Sequence, residues 1–278
     1  FHDFIGIIDF SDLSRDHYVL SLNPHVPASF TQLDRIIGEA DGPLPSSPVH
    51  PLVVDYNLDG YKDLLVGMAD GTVSLLLNRR SDADPLFLDP IELEAEDGPI
   101  TVGANAAPFV LDYDNNGAFD LLVGSGDGYL YYYANRSDNV RPSFRAATLI
   151  TALDGIPLNV ERDCIPWVSE WNGEYRKDLL LGSGNGTVMQ AINVGSDSAP
   201  VFDHLRPLSA GDRPIEAAGP AAPCVVDWNA DGRPDVLLGS GDGTIHVYCA
   251  SEAGNGPGLT ESIPIQVNGQ SLALDGAP

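Results

Sequence analysis

The chain has 278 residues, 43% of them hydrophobic, which is enough to build a core, and 40 acidic residues stand against 14 basic ones for a net charge of −26. That balance excludes a nucleic-acid binder, which needs clustered Lys and Arg to neutralise phosphates, and it excludes docking on anionic membranes. No run of 18 apolar residues occurs, so no membrane-spanning helix is predicted, and 29 Gly with 22 Pro predict many tight turns.

In chain order, residues 1–50 come first. FIGIID and YVLSLN read as the second and third strands of a partial unit, because Asn23 falls in phase with Asn78, Asn135 and Asn193 further on. The first residue is Phe1, with no signal-peptide pattern, so the chain reads as processed or trimmed. Four full units follow, over residues 51–107, 108–165, 166–222 and 223–278; they open at Pro51, Pro108, Pro166 and Pro223, spaced by 57, 58 and 57 residues. Within each, an apolar run such as Leu52-Val53-Val54 predicts a first strand and a DLLVG-type run a second. A Gly-Asp-Gly-type turn then leads into a third, TVSLLLN in the first unit. A linker led by Phe87, Phe144 or Phe202 reaches a fourth strand such as PIELEAE. Helical periodicity is absent. The expected fold is therefore all-β: one β-propeller domain with a four-stranded blade per repeat. Pro278 falls in phase with the opening prolines, so the simplest closed object has five blades, the N-terminal one lacking its inner strand. A segment of a larger propeller is the rival reading. The unpaired inner edge of FIGIID is expected to be filled by strand addition, from the same polypeptide or from another chain.

The loop joining the first two strands carries the chemistry. It reads Asp55-x-Asn57-x-Asp59-Gly60-Tyr61-x-Asp63 in the first unit, Asp112-x-Asp114-x-Asn116-Gly117-Ala118-x-Asp120 in the second, and Asp227-x-Asn229-x-Asp231-Gly232-Arg233-x-Asp235 in the fourth. Oxygen side chains at positions 1, 3, 5 and 9 suit a hard cation. Glycine at position 6 permits the sharp turn, and the backbone carbonyl at position 7 (Tyr61, Ala118, Arg233) adds a ligand. Ca²⁺, with six to eight oxygen ligands, fits better than Mg²⁺, and three sites are expected. An EF-hand is excluded, because position 12 is apolar (Val66, Val123, Leu238) and the flanks read as strands. The third unit departs from the pattern. Glu170, Asn172, Glu174 and Asp178 keep the oxygens, Tyr175 replaces the glycine, Gly173 sits two places earlier, and Arg176 and Lys177 offset the charge. Whether it holds a fourth ion stays open.

These loops resemble the FG-GAP repeat of integrin α-chain propellers and of many secreted microbial proteins. The resemblance covers residues 51–278 well and 1–50 poorly. It implies a calcium ion in the loop between the first and second strands of a blade, on the lower face, with ligands meeting the opposite face. Propellers of this kind serve adhesion, lectin activity and polysaccharide degradation, so the fold alone does not select a function.

Position 2 of every loop is aromatic (Tyr56, Tyr113, Trp171, Trp228), which suits either packing between blades or stacking on sugars. The junction before the third unit, Asn159 to Ile165, breaks the repeat with Glu161, Arg162 and Asp163, and His50 lies at the corresponding junction of another unit. These four are the candidate ligand-binding residues. No catalytic motif of the nucleophile-elbow, phosphate-loop or zinc-protease type is present. Cys164, Cys224 and Cys249 form no metal pair or disulfide framework and read as small hydrophobes. Asn135-Arg136-Ser137 and Asn185-Gly186-Thr187 match the glycosylation acceptor pattern. The expected protein is a secreted or cell-surface, calcium-stabilised module that binds a glycan or an extracellular partner protein. The alternatives are a polysaccharide lyase or hydrolase acting at the channel mouth, and a structural subunit of an extracellular assembly.

Overall fold

The computed structural model describes residues 18–22, 30–35, 48–82, 85–251, 258–260, 262–267 and 270–271. Among them every regular element is a strand. Each of the four units forms a four-stranded antiparallel sheet. The first sheet runs Pro48–Val54, Asp63–Met68, Val73–Leu76 and Ile91–Glu92. The second runs Ala107–Leu111, Asp120–Gly124, Leu130–Tyr133 and Thr148–Leu149. The third runs Ile165–Glu170, Lys177–Gly182, Val188–Ala191 and Arg206–Pro207. The fourth runs Ala221–Val226, Asp235–Ser240, Ile245–Tyr248 and Ile263–Pro264. Ahead of them, Tyr18–Leu22 pairs antiparallel with Phe30–Arg35. The FIGIID segment and the open edge expected there lie outside the described residues.

The hydrophobic pattern explains the stacking. Second strands are continuous apolar runs rather than alternating ones because both of their faces are covered: Asp63–Met68, Asp120–Gly124 and Asp235–Ser240 are buried at every position. Leu65 and Val73 of the first sheet pack with Leu121, Val123 and Tyr133 of the second. Leu122 and Leu130 of the second meet Leu179 and Leu181 of the third, and Leu180 and Val188 of the third meet Val236 and Leu238 of the fourth. The glycine ending each DLLVG run permits the approach. A Cβ placed on Gly67, Gly124 or Gly182 would stand 1.8, 1.9 or 1.9 Å from the carbonyl oxygen of Ala106, Cys164 or Ala221 in the next sheet's inner edge.

Two of the linker phenylalanines tie neighbours together. Phe87, Phe144 and Phe202 are buried. Phe144 and Phe202 bridge in parallel to Ala95 and Ala152 of the preceding units. In the fourth unit Leu259 makes the same parallel bridge to Ala210 and is 3% exposed, so leucine substitutes for the missing phenylalanine. First strands converge on a narrow cavity of about 60 Å³ lined by His50, Leu52, Phe109, Trp167 and Cys224, with the Phe109 and Trp167 rings edge-on at 5.2 Å. The arrangement is propeller-like. All three cysteines are free thiols, and Cys164 and Cys224 are buried.

Candidate functional site

The acidic loops owe their curl to two residues with left-handed backbone. Position 6 is Gly60, Gly117 or Gly232, at φ of 94°, 91° and 84°, and position 4 is Leu58, Asn115 or Ala230, at φ of 59°, 57° and 58°. Side-chain oxygens then cap the inward-turned N–H groups, as Asx turns do. Asp112 accepts from Asn116 N at 2.9 Å and from Gly117 N at 2.9 Å. Asp227 repeats this with Asp231 N at 3.0 Å and Gly232 N at 2.9 Å. Asp55 accepts from Gly60 N at 3.0 Å. Asn57, Asp59, Asn116, Asn229 and Asp231 each accept an N–H two residues on.

The position-9 aspartate has a structural task that the motif alone does not disclose. Asp63, Asp120, Asp178 and Asp235 are each 0% exposed. One oxygen of each accepts the position-2 N–H, from Tyr56, Tyr113, Trp171 or Trp228, at 2.9–3.1 Å. The other accepts the N–H fifteen residues on, from Asn78, Asn135, Asn193 or Ala250, at 2.6–2.8 Å. The carboxylate thus ties the loop to the end of the third strand. Burial pushes the pKa of Asp63, Asp120 and Asp178 above the usual carboxylate range, and the neighbouring Asp59, Asp114 and Glu174 push the same way. The Asn at the end of the third strand continues the chain of bonds. Asn135 is 0% exposed; its amide donates to Phe119 O and Asp138 O and its oxygen accepts from Ser137 N and Ser143 N, so this acceptor-pattern asparagine is a structural one.

The donor sets can be tested against a hard divalent ion. Asp112, Asp114 and Asp120 each place a carboxylate oxygen within 4.8 Å of the other two. Oxygens that share one Ca²⁺ at about 2.4 Å stand no more than about 4.8 Å apart. In the first loop Asp55 Oδ1 is buried and accepts no hydrogen bond. A desolvated carboxylate oxygen without a donor is costly, and a cation removes that cost. The fourth loop repeats the position-1 bonds of the second, and in it Arg233 pairs with Asp231 at 2.9 Å. Asp120 Oδ1 accepts only the Asn135 N–H and keeps a second lone pair for an ion. By this distance the residues of the second loop fit such an ion; the first and fourth loops share its turn geometry, but among the described residues their three carboxylates do not converge as closely.

The third loop has the same curl built from different residues. Gly173 at position 4 has φ of 77° and Tyr175 at position 6 has φ of 57°, so the glycine has moved from one left-handed position to the other. Glu170 accepts from Tyr175 N at 3.2 Å and Asn172 from Glu174 N at 3.0 Å.

The aromatic residues at position 2 pack between sheets. Tyr56 and Trp171 are 2% exposed and Tyr113 is 7% exposed, each in the cluster it shares with the next sheet. Trp228 packs beside Cys224, Leu237 and Val247. On the opposite face, Glu161 and Asp163 have φ of 76° and 45°. Asn185 donates to Glu161 at 3.1 Å, Asn105 donates to Asp163 at 2.9 Å, and Arg162 pairs with Asp163 at 3.3 Å. His50 lines the cavity, and none of Glu161, Arg162 and Asp163 does. Enclosure lowers the His50 pKa to about 4, with the Asp163 charge opposing the shift. Sequence reasoning missed Asn105, and it named Asn185 as an acceptor-pattern residue in a turn but not as a partner of Glu161. Their only signal was position: they stand at the junction and turn facing Glu161 and Asp163.

No curated protein matches the chain. Among solved structures it is similar to an Agrocybe aegerita lectin described as recognising non-reducing terminal N-acetylglucosamine, at 16% identity and a TM-score of 0.46, covering 91% of this chain and 61% of that one. It is also similar to BBS1N in complex with ARL6DN, soaked with lead, at 14% identity and a TM-score of 0.40, covering 92% and 63%. The mercury-soaked form of that complex gives 12% identity and a TM-score of 0.39. This chain spans about three fifths of the length of these structures. Residues 55–123, which hold the first two acidic loops and the strands between them, match the family model of the FG-GAP-like repeat.

Proposed function

We propose that the chain is an extracellular, calcium-stabilised β-propeller of five blades whose role is to bind a glycan or a partner protein. The observation that carries the reading is the convergence of the Asp112, Asp114 and Asp120 oxygens within 4.8 Å, in a loop whose turn geometry recurs at 55–63 and 227–235. In this reading Asp55, Asn57, Asp59, Asp63 and the carbonyl of Tyr61 hold one ion. Asp112, Asp114, Asn116, Asp120 and the carbonyl of Ala118 hold a second, and Asp227, Asn229, Asp231, Asp235 and the carbonyl of Arg233 a third. The ion supplies charge neutralisation where buried carboxylates crowd, and so stiffens the lower face. Millimolar extracellular calcium suits exposed loop sites of this kind.

Binding is favoured over catalysis by how the opposite-face groups are employed. Glu161 and Asp163 hold Asn185 and Asn105, and His50 lines the cavity, which they do not. They shape a rim rather than forming an acid–base pair. The test is an array of glycans and extracellular proteins probed in calcium and again in chelator. The reading expects a defined set of partners whose binding weakens in chelator. Absence of binding in both conditions, together with cleavage of a polysaccharide, would replace it with the enzyme alternative.

A further inference from the structure

The third loop brings its own cations. All four loops carry three acids over nine residues; against these the second has no base, the first has Lys62, the fourth has Arg233, and the third has both Arg176 and Lys177. Both are engaged. Arg176 Nη2 pairs with Glu174 at 2.7 Å, and its Nη1 donates to the carbonyl oxygens of Asn193 at 3.0 Å and Gly195 at 3.3 Å. The position-5 carboxylate is thereby drawn onto a guanidinium that also fastens the loop to the segment after the third strand. In the second loop the corresponding carbonyl, Asn135 O, is met instead by the amide of Asn116 at 3.1 Å.

Lys177 does more. Its ammonium donates to Tyr113 O at 3.3 Å, to Asp197 O at 3.2 Å and to Asn115 Oδ1, and it pairs with Asp197 Oδ2 at 3.2 Å. Two backbone carbonyls, an amide oxygen and a carboxylate form the oxygen-only surround that a hard cation takes, and here the cation is a side chain. Asn115 also donates to Asp197 at 2.8 Å, which closes the arrangement. Tyr113 and Asn115 belong to the second loop and Asp197 to the third unit, so the ammonium clamps two neighbouring sheets. The Lys177 side chain is 18% exposed, which limits solvent screening.

We propose that the loop at residues 170–178 is charge-balanced and held by Arg176 and Lys177 in place of a metal ion, and that Lys177 is the fixed cation joining the second and third sheets. The contrast with the other loops rests on the calcium reading above; the clamp does not. The experiment is calorimetric calcium titration of metal-stripped protein, together with melting curves in chelator. Glu174→Gln is expected to leave the number of bound ions unchanged, and Asp114→Asn to lower it by one. Loss of one ion in Glu174→Gln would overturn the proposal while leaving the calcium reading intact. Wild-type protein that binds no calcium would overturn that reading, and the clamp is then decided by melting alone. Lys177→Met is expected to lower the melting temperature in chelator by about 3 °C or more. An unchanged melting temperature would overturn the clamp.

Discussion

Asp120→Asn tests whether the position-9 carboxylate is first a backbone acceptor. Its Oδ1 accepts Asn135 N at 2.7 Å, and its Oδ2 accepts Tyr113 N at 3.0 Å, Asp114 N at 3.3 Å and the Tyr132 hydroxyl at 3.2 Å. An amide has the same shape but only one acceptor. Whichever way it turns, its NH₂ faces an N–H that the carboxylate had satisfied. One orphaned buried N–H costs about 1–3 kcal/mol, and the charge-assisted bonds weaken as well. Removing the charge returns part of this, because burial already disfavours ionised Asp120. The expected net loss is about 2–3 kcal/mol. Asp114→Asn is the control, since the one bond Asp114 accepts, from Asn116 N at 3.2 Å, needs only the oxygen an amide retains. Its expected loss in chelator is below about 0.5 kcal/mol. Urea unfolding in excess chelator measures both without a contribution from metal. Equal stabilities for the two variants would refute the reasoning.

Gly124→Ala is expected to destabilise by about 2–3 kcal/mol or more, because the new Cβ would stand 1.9 Å from Cys164 O and the sheets must separate. Gly117→Ala, at φ of 91° with open space around it, should cost only about 1 kcal/mol; thermal melts that rank the two in reverse would contradict this packing account. His50 gives a pH dependence of definite sign. Its pKa falls from 6.5 in the unfolded chain to about 4 when folded. Between these values the unfolded state takes up a proton that the folded state excludes, so stability present above pH 6.5 is lost as pH falls toward 4, by about 3 kcal/mol. Asp63, Asp120 and Asp178, shifted upward, act in the opposite sense and favour the fold as pH falls through their folded values. Comparing wild type with His50→Gln between pH 7 and 4.5 isolates the histidine, and parallel pH profiles would refute its contribution.

Much of the fold was legible because the repeat supplies four readings of one pattern. The DLLVG runs, the turns and the phenylalanine linkers fell where the periodicity placed them. Leu259 escaped notice because its place is defined by a parallel bridge to Ala210, not by its residue type. The motif also named Asp63, Asp120, Asp178 and Asp235 but could not reveal their second role. That role depends on an N–H fifteen residues along the chain, brought close only when the hairpin closes. The two-place shift of glycine in the third loop read as a departure from the pattern. It is one curl with two left-handed positions, of which either can take the glycine. The partners of Lys177 lie in another unit, 62 to 64 residues away, where no local pattern points.

The central claim is that the loops at 55–63, 112–120 and 227–235 hold calcium. The most direct measurement is the number of Ca²⁺ ions bound per metal-stripped chain, taken for wild type and for Asp55→Ala, Asp112→Ala and Asp227→Ala. Three ions in the wild type and one fewer in each variant, with a melting temperature that rises on calcium addition, is the predicted result. A melting curve indifferent to calcium, or a wild-type ion count that Asp112→Ala leaves unchanged, would contradict it.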